Sequence, residues 1–290
     1  MAQKIVDELI QGAIDMHMHT APDVYPRSLD DIEVAKQAKK AGMAAIVLKN
    51  HITCTADRAQ IARNVVDFSV FGGIVLNWGV GGLNPTAVAN AIKLGAVAVW
   101  MPTIDAAHFL KDPSAVPMLT AGRRILPRGI TILDKTGKLT EELRPILELI
   151  AEHDLILATG HLAPEESLVL IKAAVKAGVN KLVVTHPEAS FINFQEDALK
   201  EIVQQGGLIE HVYAYCTPIV REMVQPSKIA KMIRFIGAEN VLMASDGGQS
   251  VNPPPVEMFK EFMVKMLENG VSEHEIYVMT HENPAKLLDL

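Results

Sequence analysis

The chain has little cysteine, no long apolar run and no surplus of positive charge, and each absence removes a class of protein. Two cysteines in 290 residues, Cys54 and Cys216, cannot build a disulfide framework. A reducing, cytoplasmic setting is the expectation. No stretch approaches the roughly 20 apolar residues of a membrane span. A formal net charge of -7 argues against a nucleic-acid or anionic-membrane surface. The N-terminal residues 1–10 alternate charge and apolarity like a short amphipathic helix, without the uncharged core of a secretory signal. Dinucleotide-type glycine fingerprints, internal repeats and low-complexity segments are also lacking. What remains is apolar: 49% hydrophobic and 21% charged residues support a sizeable core.

Short apolar runs alternate with longer amphipathic stretches. The runs cover residues 12–18, 44–49, 70–76, 96–101, 155–159, 181–185, 207–212 and 241–245. The stretches 29–41, 86–94, 165–177 and 197–205 each stop at a glycine, the residue that tolerates a left-handed helix cap. Strands alternating with helices imply βαβ units and a parallel sheet. Eight such units in this length predict an α/β fold, a (β/α)8 TIM barrel, as one domain over 1–290. A doubly wound open sheet is the alternative. The connection 102–154 is long and is expected to insert between strands four and five, with a hairpin over 129–138 and a helix over 140–153. Overhanging the barrel mouth, it would act as a lid or subunit contact. Asn252-Pro-Pro-Pro255 reads as a stiff helix entry rather than a linker.

Six of the ten histidines, His17, His19, His51, His161, His186 and His211, lie at or just past the end of a proposed strand. In a barrel those ends form one rim, where active sites are built. Simple alternation in Asp15-Met-His17-Met-His19 puts both histidines on one face and Ile14, Met16 and Met18 on the other. Leu155-Ile-Leu-Ala-Thr-Gly-His161 and Lys181-Leu-Val-Val-Thr-His186 each deliver one more histidine, and the run after Asn240 delivers Asp246. Four imidazoles and a carboxylate suit one or two divalent ions, zinc first among them. Such an ion brings the pKa of bound water to about 7, and Asp246 is the candidate general base and acid.

His17, His19, His161, His186 and Asp246, with the closing Asn283-Pro284-Ala285, resemble the amidohydrolase superfamily of metal-dependent barrels. The resemblance spans nearly the whole chain and, within the superfamily, points to an uncharacterised subgroup. It implies hydrolysis of an amide, lactone or ester of a small molecule, with Asp246 in the proton-transfer role. Strands three and four, however, lack the bridging lysine or glutamate that many two-metal relatives carry there. Lys49, in phase with Ala45 and Val47, reaches the rim instead and is either a carbamate bridge between metals or a cation for a substrate carboxylate.

A decarboxylase or hydratase of a small unsaturated acid is the alternative, and a non-catalytic metal-binding barrel the third reading. Arg27, Asn50, His51 and His211 are the candidate substrate contacts, Arg58 a further cation. Of Glu210 and His211, adjacent on one strand, only one can face inward. Glu188 reads as a helix cap, Trp78 and Tyr213 as pocket wall. A homo-oligomer is compatible with the long insertion.

Overall fold

The computed structural model describes residues 2–112 and 128–290. Its strands are β1 (Ile14–His19), β2 (Ala45–Lys49), β3 (Ser69–Val75), β4 (Ala98–Trp100), β5 (Ile156–Ala158), β6 (Lys181–Thr185), β7 (Leu208–Val212) and β8 (Val241–Ala244). Each expected apolar run overlaps one of them, with β1 ending one residue later and β3 starting one residue earlier than expected. All pair in parallel and in sequence order, β1 through β8. The helices between them are α2 (Asp31–Lys40), α3 (Ala56–Val66), α4 (Pro85–Lys93), α5 (Leu143–Glu152), α6 (Pro164–Ala177), α7 (Glu196–Gln204) and α8 (Pro226–Ile236). α1 (Ala2–Leu9) precedes β1, and α9 (Pro255–Glu268), α10 (Glu273–Tyr277) and α11 (Asn283–Leu288) follow β8. This is a (β/α)8 barrel. No helix among the described residues is long and apolar enough to cross a membrane.

Outside β1, the period of two sorts the strands' side chains. Ala45 and Val47 of β2 join Val75, Trp100, Ala158, Val183 and Leu242 inside the barrel. Ile46 and Leu48 face the helical layer with Val70, Val99, Leu182 and Ile209. Gly73 makes room for the Trp100 ring: a Cβ there would stand 2.6 Å from Trp100 Cζ3. Local chemistry sets the helix ends. Asp30 and Glu33 form a capping box at the start of α2, and Gly178 ends α6 at φ 88°.

The seam between β8 and β1 is closed differently from the other seven. One parallel bridge joins Met18 to Gly247, and His19 N–H donates to the Gly247 carbonyl at 2.8 Å. The β1–β2 register then steps from Asp15↔Ile46 to Met18↔Leu48, so β1 carries one extra residue, a bulge. The simple alternation expected for β1 fails there. Ile14 and Met16 fill the barrel interior, and past the bulge His17 and His19 also turn inward while Met18 turns out.

Residues 113–127, the middle of the expected insertion, lie outside the described residues. Its two described ends meet: Ala107 N–H donates to Ile130 O at 2.7 Å and Ile130 N–H to Asp105 O at 2.7 Å. The hairpin expected over 129–138 shrinks to a single Leu133–Leu139 bridge.

Candidate metal centre

Asp15 holds the bulge in place. Its Oδ1 accepts the His17 N–H at 3.1 Å and shares the Ser245 N–H with Oδ2, at 3.1 and 3.2 Å, while Ser245 Oγ donates back to His17 O. One buried carboxylate thus fixes the backbone of the first histidine against that of the residue preceding Asp246. Burial pushes its pKa up to about 7, outweighing the hydrogen bonds that favour the anion.

The histidines converge on Asp246. His17 Nε2 and His19 Nε2 stand 3.2 and 3.1 Å from Asp246 Oδ1, and all three ligand atoms lie within 4.8 Å of one another. The His186 ring stacks on His17 at 6.2 Å between centroids, and His161 lies 5.0 Å from His186. Lys49 Nζ reaches His17 Nε2 at 3.0 Å and stands 5.6 Å above the Trp100 ring. The structure therefore brings together all six residues proposed as ligands. His186 and Asp246 both adopt positive φ, 30° and 46°. That is strained backbone for non-glycine residues, held where it turns the side chain over the barrel mouth.

The donor set fits a metal. His161 Nδ1 and both ring nitrogens of His186 are buried without a hydrogen-bond partner, an unfavourable arrangement for polar atoms unless a ligand takes them up. Burial pushes His17 and His186 down to about 3, and His19, His51 and His161 well below the ordinary value. The rings are therefore neutral near pH 7, with a lone pair free to coordinate. Nitrogen and carboxylate donors suit zinc or manganese better than calcium.

Glu210 is the inward member of its pair. Its Oε2 meets His17 Nδ1 at 3.1 Å and orients that ring, as carboxylates do behind metal-binding histidines. Burial raises its pKa and lowers that of Lys49, favouring the uncharged form of each, so the pocket disfavours both charges without changing the proton count of the pair. The strand's parity carried this signal, since Leu208, two residues earlier, packs inside.

Two proposed substrate contacts are placed elsewhere. His211 points into the helical layer, where Glu188 Oε2 takes its Nδ1 at 2.9 Å; Glu188 also accepts the Val212 N–H and caps no helix. Asn50 turns back on its own loop and accepts the N–H groups of Ile52 and Thr53. Arg58 grips Asp31 with two nitrogens at 2.8 Å, together with Pro22 O, which ties down the loop after β1. Tyr213 stacks on Phe262, and Trp78 is 45% exposed with its indole N–H on Arg128 O.

Arg27 and His51 do line a cavity of about 780 Å³ above the histidines. Its other wall is aromatic: Phe109, Phe191 and Tyr215. Phe109 and Tyr215 sit on single 3-10 turns and Phe191 in a turn outside the named elements. These segments are too short to show strand or helix periodicity, so the sequence pattern gave no sign of them.

The chain matches a family described as "Family of unknown function (DUF6282)" over residues 12–210. No curated protein matches it. Among solved structures it is similar to an amidohydrolase from Pseudomonas aeruginosa, with 12% identity, 98% of each chain covered and a TM-score of 0.63. It is also similar to a mutant of a PTE-like lactonase from Deinococcus radiodurans, with 11% identity, 96% of each chain covered and a TM-score of 0.61. A third likeness is to the phosphotriesterase homology protein from Escherichia coli, complexed with phosphate in its active site. There identity is 12%, coverage 95% of this chain and 99% of that one, and the TM-score 0.57. At these identities the likeness is one of fold.

Proposed function

The chain belongs to the DUF6282 family, and from that premise we propose that it is a metal-dependent hydrolase acting on an amide, lactone or ester of a small molecule. The observation that carries the reading is the convergence of His17, His19 and Asp246 within 4.8 Å beside two histidines with orphaned nitrogens, at the floor of an open cavity. The similar folds named as amidohydrolase and lactonase support it.

His17, His19, His161, His186 and Asp246 would hold one or two divalent ions, zinc by preference. When bound, the ion supplies a water of lowered pKa and polarises the scissile carbonyl. Asp246 is the only carboxylate of the cluster on the cavity wall. Its Oδ1 faces the two imidazoles, and the other oxygen takes the proton of the attacking water and returns it to the leaving group. Glu210 keeps His17 oriented, and neutral imidazoles leave the net charge to the carboxylates.

Lys49 is a buried lysine that makes no ion pair with the described residues. A lowered pKa leaves its amine free to attack CO₂, forming an N–C bond and releasing one proton. The resulting carbamate would add an anionic oxygen donor to the histidines and Asp246 that would hold the ion. Cys54 and Cys216, both thiols pushed up by burial, suit the proposed reducing, cytoplasmic setting. A decarboxylase is the second reading, favoured by Arg27 on the cavity wall.

The test uses the zinc-loaded protein with an aryl ester and an aryl lactone, para-nitrophenyl acetate and dihydrocoumarin. Turnover is expected, with Asp246→Asn lowering kcat by roughly 10²–10⁴ at unchanged melting temperature. Full activity in that variant removes Asp246 from its role. Release of CO₂ from an unsaturated acid, with no ester turnover, selects the decarboxylase. Intact mass with one added CO₂, lost in Lys49→Met, identifies the carbamate.

A further inference from the structure

The cavity above the histidines has two chemically different sides. On the β5–β7 side the walls are aromatic. Phe109 and Phe191 lie 4.8 and 4.9 Å from the His161 ring, Tyr215 lies 4.8 Å from His186, and Phe109 meets Phe191 edge-on at 4.9 Å. On the β1–β2 side two hydrogen-bond donors flank His19. Arg27 Nη2 stands 3.3 Å from His19 Nδ1, and the His51 ring lies 4.7 Å from the His19 ring.

Both donors are held in place. Asp23 takes Arg27 Nε at 2.7 Å, and the arginine side chain is only 5% exposed. Its Nη1 has no hydrogen-bond partner among the described residues, and a guanidinium cannot shed its charge.

His51 is fixed by a relay that starts two strands away. Asn77 Oδ1 accepts the N–H groups of Thr103 and Asp105, at 2.8 and 3.2 Å, which identifies its other terminal atom as the amide nitrogen. That nitrogen donates to His51 O at 3.0 Å and to Thr103 Oγ1 at 2.6 Å. The buried hydroxyl has no other acceptor among the described residues, so satisfying its own proton sends it to His51 Nδ1 at 2.8 Å. A neutral imidazole that accepts at Nδ1 carries its hydrogen on Nε2. Among the described residues Nε2 has no partner, and His51 lines the cavity.

We propose that the site takes a substrate with a carboxylate at one end and a flat apolar group at the other. The carboxylate is received by Arg27 Nη1 and the His51 Nε2–H, and the apolar group by Phe109, Phe191 and Tyr215. Asn77 and Thr103 are positioning residues that set the His51 tautomer. The assignment deepens the hydrolase reading and rests on it for the reaction, not for the recognition. Charge-assisted bonds from a desolvated guanidinium are among the stronger polar contacts, and the planar rings suit a planar partner.

The test is titration calorimetry on the full-length, zinc-loaded protein with three probes: hydrocinnamate, acetate and hydrocinnamamide. Hydrocinnamate is expected to bind at least about tenfold more tightly than either of the others. Arg27→Gln is expected to lower its affinity about tenfold, and Thr103→Val about threefold, while amide binding stays unchanged. Thr103→Ser, which keeps the hydroxyl, is expected to restore wild-type binding. Should Arg27→Gln fail to fold, Arg27→Lys and the Thr103 pair carry the same comparison. Wild-type hydrocinnamate affinity in Arg27→Gln and Thr103→Val places the carboxylate on the ion and overturns the proposal, as does equal affinity for acid and amide. Carboxylate selectivity without ester turnover retires the hydrolase reading and leaves this one standing. Turnover of neutral esters without carboxylate preference does the reverse.

Discussion

At the scale of single residues, Asp15 shows how much one buried carboxyl can organise without touching substrate. It receives the His17 N–H and the Ser245 N–H, and both donors are buried. Removing the acceptor leaves two backbone donors unpaired at about 1–3 kcal/mol each, besides the cavity. Asp15→Ala is therefore expected to cost about 3–5 kcal/mol and to loosen the two elements that present His17 and Asp246. Asp15→Asn keeps Oδ1, which alone lies 3.1 Å from both N–H groups. Because burial already holds Asp15 near half-protonation at neutral pH, a neutral amide is a close substitute, with an expected cost under about 2 kcal/mol. Urea unfolding of the metal-free variants measures both. Equal losses in the two would show that charge, rather than hydrogen-bond geometry, is what Asp15 supplies.

At the scale of elements, the loop after β8 lies directly on β1. A Cβ on Gly248 would stand 1.8 Å from His19 O, and its φ is 118°. Gly248→Ala must lift the loop off the strand and break the Ser28 N–H to Gly248 O bond of 2.9 Å. A loss of about 3 kcal/mol or more is expected, with a larger loss of activity because Asp246 sits two residues away. Gly178→Ala is the control: its φ is 88° but nothing stands within 4 Å of the added Cβ, so about 1–2 kcal/mol of backbone strain is the whole expected cost. Comparable melting temperatures for the two variants would contradict the steric account. Strand identity was legible from sequence because burial on both sheet faces leaves continuous apolar runs. The inward phase of Lys49 was legible too, since β2 keeps its alternation through Ala45 and Val47. β1 was misread because its bulge is stabilised by Ser245, a residue 230 positions away. The Asn77–Thr103–His51 relay and the aromatic wall join loops whose proximity only barrel closure creates.

At the scale of the whole molecule, the histidine cluster of the proposed metal site stores unfavourable protonation. Five histidines, His17, His19, His51, His161 and His186, are held neutral by burial. In the unfolded chain each binds a proton below about pH 6.5, which His17 and His186 in the folded, metal-free chain do not bind until about pH 3. The unfolded state thus holds more protons, and stability falls as pH drops, by about 1.4 kcal/mol per pH unit for each such group. Asp15 and Glu210 act in the opposite sense, because their raised pKa values let the folded state take up protons first. Five against two leaves roughly three protons, or about 4 kcal/mol per pH unit, only near pH 5; near pH 7 the unfolded imidazoles are mostly neutral and the slope is small. Metal-free protein is therefore expected to lose several kcal/mol of stability between pH 7 and pH 5, most of it below pH 6, read as a fall in melting temperature that steepens as pH drops. Zinc at a hundredfold excess over its Kd should add about 2.7 kcal/mol at pH 7, roughly 5 °C or more for a chain of this size. A melting temperature that stays flat from pH 7 to pH 5 in the metal-free protein would mean that these histidines titrate normally. A site whose rings titrate normally is open to water and offers a cation no buried, proton-free imidazoles.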